Sequence, residues 1–336
     1  MLNINKRIII FLFSCLILTL GISYYFLKTP KVSIVMPVYN GEQYLEQTIG
    51  FLLLSNYKDF EFIIIDDGST DGSYKKLKEI ASSDNRIKLF KNEKNMGIVE
   101  TRNKGMQLAK GEYIAPMDQD DWSLPDRIGT SVKYLDEHPD TDVVDVGTIL
   151  MKDYLNGIKT ERFGVISYLL KDAEFEKNNY TLEEIDENIK LSLLFSLAVP
   201  TQSGSMMRKD FLEKNNIKYT KGILYSDDYY LYADMLRNGA KFHHINEVLH
   251  IYNDIREHSN NFNLKQFEET QNIKKELFNY VGLNFNDYKD IQNDIKLFAC
   301  KVINDLLNKE EVELKFSKTL LQKNKELICQ NTNLSY

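Results

Sequence analysis

Residues 112–122 read EYIAPMDQDDW. An apolar run from Tyr113 to Met117 ends in three carboxylates, Asp118, Asp120 and Asp121, with Trp122 directly after. Like charges this close repel and raise one another's pKa. A chain tolerates them where the site is open to water or where a cation sits among them, and the flanking segments decide which. Upstream, KVSIVMPVY (31–39) is a β-rich run closed by the turn signal Asn40-Gly41. Tyr44, Leu45, Thr48, Ile49, Leu52 and Leu53 then recur at helical spacing. FEFIIIDD (60–67) is a continuous apolar run, as a strand covered on both faces would be. GSTDGS after it offers a cap for a helix over SYKKLKEIA. RIKLFKN (86–92) predicts a third strand, Gly97 to Lys110 a helix stopped by Gly111, and EYIAPMD the fourth strand.

Strand–helix–strand alternation predicts an α/β fold, a mostly parallel sheet with right-handed crossovers and flanking helices. Asp66 and Asp67 then end the second strand, and Asp118 and Asp120 lie at or just beyond the end of the fourth. Open α/β sheets bind ligands in the crevice outside the carboxyl ends of their strands, so two acidic clusters converge on one rim. Past residue 140 the alternation weakens. DVVDVGTILM reads as one more strand, and residues 171–190, acidic and Asn-rich, as a loop plus a solvated helix. Ile291, Ile295, Phe298, Val302 and Leu306 fall on one face of a helix packed on the domain. The expected organisation is an anchor over 1–30, a first α/β half over 31–140, a second half over 141–265 and a helical extension over 266–336.

The chain has 336 residues, 43% apolar and 27% charged, as a globular protein does. Lys and Arg number 42 against 49 Asp and Glu, a net charge of −7, which is no footprint for a nucleic-acid partner. Cys15, Cys300 and Cys329 show neither metal spacing nor a disulfide framework, and favour a reducing compartment. From Ile8 to Leu27 the chain reads IIIFLFSCLILTLGISYYFL, uncharged and long enough for a membrane-crossing helix. This predicts a single-pass membrane protein, with the rest of the chain on the cytoplasmic face if bacterial.

VSIVMPVYNGEQYL, FIIIDDGSTDGS and NMGIVETRNKGMQLAKGEYIAPMDQDDW, in this order over residues 31–130, resemble a family 2 glycosyltransferase with the A-type nucleotide-sugar fold. The resemblance implies inverting transfer from a nucleoside-diphosphate sugar, a UDP-sugar first of all, bound by the half over 31–140, to a glycan or lipid-linked acceptor bound by the half over 141–265, with Mn²⁺ or Mg²⁺ as cofactor. Such cations prefer hard oxygen ligands and neutralise a departing diphosphate. By resemblance Asp118 or Asp120 faces the ribose, and Asp120 or Asp121 takes the metal. Asp66 and Asp67 match the acidic pair that contacts base and ribose. Pro37 and Tyr39 match the end of the first strand, with Tyr39 available to stack on the base, and Arg102 in TRNKG is available to hold the nucleotide. SDDYYLYADMLRNG (226–239) resembles the segment that supplies the catalytic base, with Asp227-Asp228 in place of the commoner Glu-Asp. Asp228 is the expected base and Asp227 its support. Arg256 and His258 resemble an Arg-x-His element of the family's C-terminal lid. The alternative is a non-catalytic, membrane-anchored nucleotide-binding relative, but acids stand at 67, 120 and 228, where a decayed copy would have lost some. A nucleotidyltransferase would want a Gly-rich phosphate loop, which PVYNGEQ does not supply.

Overall fold

The computed structural model describes residues 29–156, 182–195, 200–223, 225–253, 264–291, 295–308 and 316–329. The first half alternates as expected: β1 (Val32–Val38), α1 (Leu45–Leu53), β2 (Phe60–Asp66), α2 (Ser73–Ala81), β3 (Ile87–Lys91), α3 (Ile98–Leu108) and β4 (Tyr113–Pro116). All seven residues of β1 and all seven of β2 are buried, because both faces of the sheet are covered. Val35, Ile63, Ile65 and Ile114 face one core, while Ile34, Met36, Phe62 and Ile64 face the other. Helix α3 lies close on the first of these faces: a Cβ added to Gly105 would meet Val35 Cγ1 at 2.2 Å.

After β4 come β5 (Trp122–Ser123), α4 (Arg127–Glu137), β6 (Val143–Leu150), α5 (Met151–Leu155), α6 (Leu182–Phe195), β7 (Met206–Arg208), α7 (Lys209–Lys214), α8 (Asp227–Arg237) and β8 (Phe242–Tyr252). The sheet order is β3-β2-β1-β4-β7-β6-β8-β5. The sheet is mixed: most strands run parallel, as expected, and two short ones run against them. β1 pairs in parallel with β2 and β4, as do β2 with β3 and β6 with β8. β7 runs antiparallel to both its neighbours, and β5 antiparallel to β8. Strands of three and two residues carry too little periodicity to be read from sequence. Because two antiparallel steps separate β4 from β6, the C-terminal ends of β1, β2, β4, β6 and β8 share one edge.

Helix α6 overlaps the segment expected to be solvated, yet Ile189, Leu191, Leu193 and Leu194 are buried. Its acids mislead: Glu187 accepts from Ser317 N–H at 2.8 Å, and Asp186 is ion-paired with Lys190. The extension forms α9 (Leu264–Tyr280), a 3-10 turn (Phe285–Tyr288), α10 (Ile295–Leu307) and α11 (Lys318–Ile328). Phe298, Val302 and Leu306 of α10 are buried in the same core as Val35. Cys300 and Cys329 form a disulfide between α10 and the end of α11, a pairing that their separation of 29 residues does not announce.

The single-pass membrane localisation is corrected. Among the described residues no helix is long and apolar enough to cross a membrane, and the stretch from Ile8 to Leu27 lies outside them.

Candidate active site

The C-terminal ends of β1 and β4, the loop entering α3 and the end of β8 enclose a cavity of about 490 Å³. Pro37, Tyr39, Asp67, Arg102, Asp118 and Asp120 all line it, so six of the expected site residues meet in one place. A larger cleft of about 880 Å³ opens at the opposite edge, near Thr141 and Phe242. Its polar groups serve one another, Lys190 with Asp186 and Glu187 with Ser317, whereas the smaller cavity gathers Asp67, Asp118 and Asp120 beside Arg102, through which the first half of the chain meets the second.

Arg102 makes that junction. From α3 its guanidinium reaches Asp118 at 2.5 Å and, on its other nitrogen, Asp227 at the first turn of α8. The aromatic ring of Tyr219 lies 5.4 Å from it, and Tyr219 O–H accepts from Gln202. Burial works against the guanidinium charge, but the carboxylates of Asp118 and Asp227 outweigh it and hold the Arg102 pKa well above its usual value. Arg102 therefore arrives with its donors already shared between the two halves.

Asp228 stands beside this bridge, half-buried. Its Oδ1 accepts from the N–H of Tyr229 at 2.7 Å, and the Tyr229 hydroxyl fixes this turn of α8 to the carbonyl of Leu193 at 2.6 Å. Burial, then the charge of Asp227, push the Asp228 carboxyl up to about 6, with Arg102 opposing. A carboxyl near 6 can take a proton at neutral pH more readily than an ordinary aspartate.

The other acids have separate environments. Asp67 accepts from Asn92 Nδ2 at 2.7 Å and from the N–H groups of Met96 and Gly97 at 2.9 Å each. It thus holds the start of α3 as well as lining the cavity, while the start of α2 is held from within GSTDGS, as expected, by Asp71, with Glu42 beside it. Asp66 is fully buried on the opposite face, off the cavity, with Lys91 Nζ at 3.9 Å. Asp121 is 1% exposed and also off the cavity. It accepts from Asn253 N–H at 3.0 Å and pairs with His250 Nε2 at 3.2 Å, and His250 Nδ1 in turn meets Thr148 Oγ1 at 3.0 Å. Burial would raise the Asp121 pKa; His250 reverses this and keeps it low. Burial and the nearby Asp121 charge raise the Asp118 pKa despite Arg102.

Gln119, Asn253 and His250 are site neighbours that the motifs did not single out. His250 was detectable in principle, since alternation along VLHIYN turns it to the same side as Val248 and Tyr252. His243 and His244 lie elsewhere, His243 stacked on Tyr134 at 4.0 Å and His244 3.6 Å from Asp145. Arg256 and His258 lie outside the described residues.

The sequence profile of "Glycosyl transferase family 2" matches residues 33–215, more than half of the chain. The chain belongs to glycosyl transferase family 2. An uncharacterized glycosyltransferase of Methanocaldococcus jannaschii is 31% identical over 222 residues, 66% of this chain and 69% of its own length. One from Haemophilus influenzae is 28% identical over 251 residues, 75% of this chain and 74% of its own. Among solved structures, S. aureus TarS 1-349 in complex with UDP superposes with a TM-score of 0.56 at 17% identity, over 83% of this chain and 72% of that one. The mannosyltransferase PcManGT of Pyrobaculum calidifontis, in complex with GDP-Man and Mn²⁺, gives 0.56 at 12% identity, over 91% and 82%. These likenesses support the A-type fold for this family 2 member.

Proposed function

We propose that the chain transfers a sugar from a nucleoside-diphosphate sugar, UDP-linked in the first instance, to a glycan hydroxyl with inversion at the anomeric carbon. The observation that carries this is the Arg102 bridge, which joins the donor-side Asp118 to Asp227, next to a carboxyl poised near 6. UDP and GDP-Man in the folds of TarS and PcManGT support the nucleotide part.

Tyr39 offers a ring, 42% exposed, for the base. Among the described residues no group of three or more His, Cys, Asp or Glu gathers to hold a metal. That fits Mg²⁺ or Mn²⁺, which need only one or two carboxylates beside substrate phosphates. Asp120, with Asp118, would hold the cation, and Asp121 fixes their turn from behind. When bound, the cation supplies positive charge for the departing diphosphate. Asp228 takes the acceptor's proton as its oxygen attacks the anomeric carbon from the side opposite the leaving phosphate. Asp227, held by Arg102, keeps the start of α8 in place.

The test is calorimetry of UDP and GDP with Mn²⁺ or with EDTA, followed by a hydrolysis screen over nucleotide sugars. Cation-dependent binding and release of one sugar are expected. Absence of binding to either nucleotide overturns the reading, and binding without turnover of any donor or acceptor favours a nucleotide-binding module.

A further inference from the structure

β1 and β4 pair up to Val35 and Pro116, and the N–H of Met117 still reaches the carbonyl of Val35 at 2.9 Å. Beyond that point the main chains part, one toward Tyr39 and the other into the Asp118–Asp120 turn. A side chain continues the link. The N–H of Tyr39 donates to Gln119 Oε1 at 3.0 Å, and Gln119 Nε2 donates back to the carbonyl of Tyr39 at 3.3 Å. One primary amide thus satisfies both backbone groups of Tyr39, as a neighbouring strand would. Gly41 leaves room for it: a Cβ there would lie 2.5 Å from Gln119 Oε1. The same loop is tied on its far side, where Asn40 N–H donates to Ser69 Oγ at 3.1 Å and Asn40 Oδ1 accepts from Thr70 N–H at 2.9 Å. With its backbone so occupied, Tyr39 offers a ligand chiefly its side chain.

Tyr39 and the acids on either side of Gln119 line one cavity. We propose that Gln119 is a positioning residue of the donor site: its amide fixes the distance between the Tyr39 ring, which receives the base, and Asp118 and Asp120, which face the ribose and would hold the cation that meets the diphosphate. The proposal rests on the nucleotide-sugar reading above. Gln119 touches no reacting atom; it sets the span that a nucleoside diphosphate must match.

The test is a double-mutant cycle read by calorimetry on the full chain, with UDP and GDP as probes in Mn²⁺. The variants are Gln119→Met, which keeps length and loses both hydrogen bonds, Tyr39→Ala, and the two together. Gln119→Met should weaken nucleotide binding about five- to tenfold, the scale of two partly exposed hydrogen bonds. In the Tyr39→Ala background it should change binding by less than about twofold. A merely structural role would lower the melting temperature and weaken binding equally in both backgrounds, and that result overturns the proposal, as does unchanged binding. Gly41→Ala, which displaces the same amide from the opposite side, should reproduce the loss. If the wild type binds neither nucleotide, the nucleotide-sugar reading fails first and the positioning role falls with it.

Discussion

Replacing Asp228 by Asn keeps its size and removes its charge, and the structure predicts opposite effects on rate and stability. In the folded chain burial and Asp227 hold this carboxyl at about 6, against a usual 3.8. For a carboxyl the sign is unfavourable: the unfolded chain loses the proton first, so the folded state pays a penalty that grows as pH rises from about 4 to 6. One pH unit of such displacement corresponds to about 1.4 kcal/mol, so the penalty at pH 7 is on the order of 3 kcal/mol, and it shrinks below about 1 kcal/mol at pH 4. Asp228→Asn should therefore stabilise the fold at pH 7 by up to that amount and have little effect at pH 4. Transfer should fall about 10²–10⁴-fold, the usual contribution of a general base. Wild-type transfer should decline as pH drops through about 6, the value set by the same buried carboxyl. UDP or GDP affinity should stay near wild type, because Asp228 lies outside the cavity lining. Urea denaturation at both pH values, beside calorimetry and a transfer assay, gives each quantity separately. If the variant is less stable at pH 7 and transfers at the wild-type rate, Asp228 is neither strained nor the base, and the reasoning fails.

Two further substitutions test the frame around it. Arg102→Met should destabilise the fold by about 3–5 kcal/mol in urea, because it leaves Asp118 and Asp227 facing without their shared cation; a loss under about 1 kcal/mol would mean that the bridge is not formed in solution. Gly105→Ala should cost about 1–3 kcal/mol by forcing α3 off Val35, whereas Gly50→Ala, with nothing within 4 Å, should be neutral or gain up to about 1 kcal/mol from helix propensity. Equal effects at the two glycines would refute the close approach of α3 to β1.

The parts legible in the sequence are those with local causes. Apolar runs and period-3.6 patterns placed the strands and helices of residues 31–116, and strand ends placed Asp67, Asp118 and Asp120 on one rim, though also Asp66, which turns away from it. The rest depends on contacts between distant residues. Arg102 meets Asp227 across 125 positions, and His250 meets Asp121 across 129. Nothing in TRNKG says that its guanidinium will be shared, nor in DQDD which acid will turn inward. Asp67 shows the same dependence at shorter range. Its carboxylate is close in sequence to α2 but serves the start of α3, because the β2–β3 pairing brings Asn92 and the following loop back beside it.

The acids of DQDD sit together because the fold gives Asp118 and Asp121 different partners. Asp118 shares Arg102, and Asp121 is drawn inward to His250 and the Asn253 amide. A second arginine lies on the inner side. Arg127, at the start of α4, is 1% exposed, and no hydrogen bond to its guanidinium is made by the described residues. Burial brings its pKa down to about 10, while the fields of Asp145 and Asp121 oppose the fall, so it remains a cation at neutral pH. Two buried cations thus act on the turn, Arg102 on Asp118 and Arg127 on Asp121, and their attraction works against the repulsion among its carboxylates. Asp120, between these pairs, lines the cavity. Charge balance of the turn is then a property of the chain itself, and the divalent cation of the proposed reaction is left to act on the diphosphate rather than on the fold.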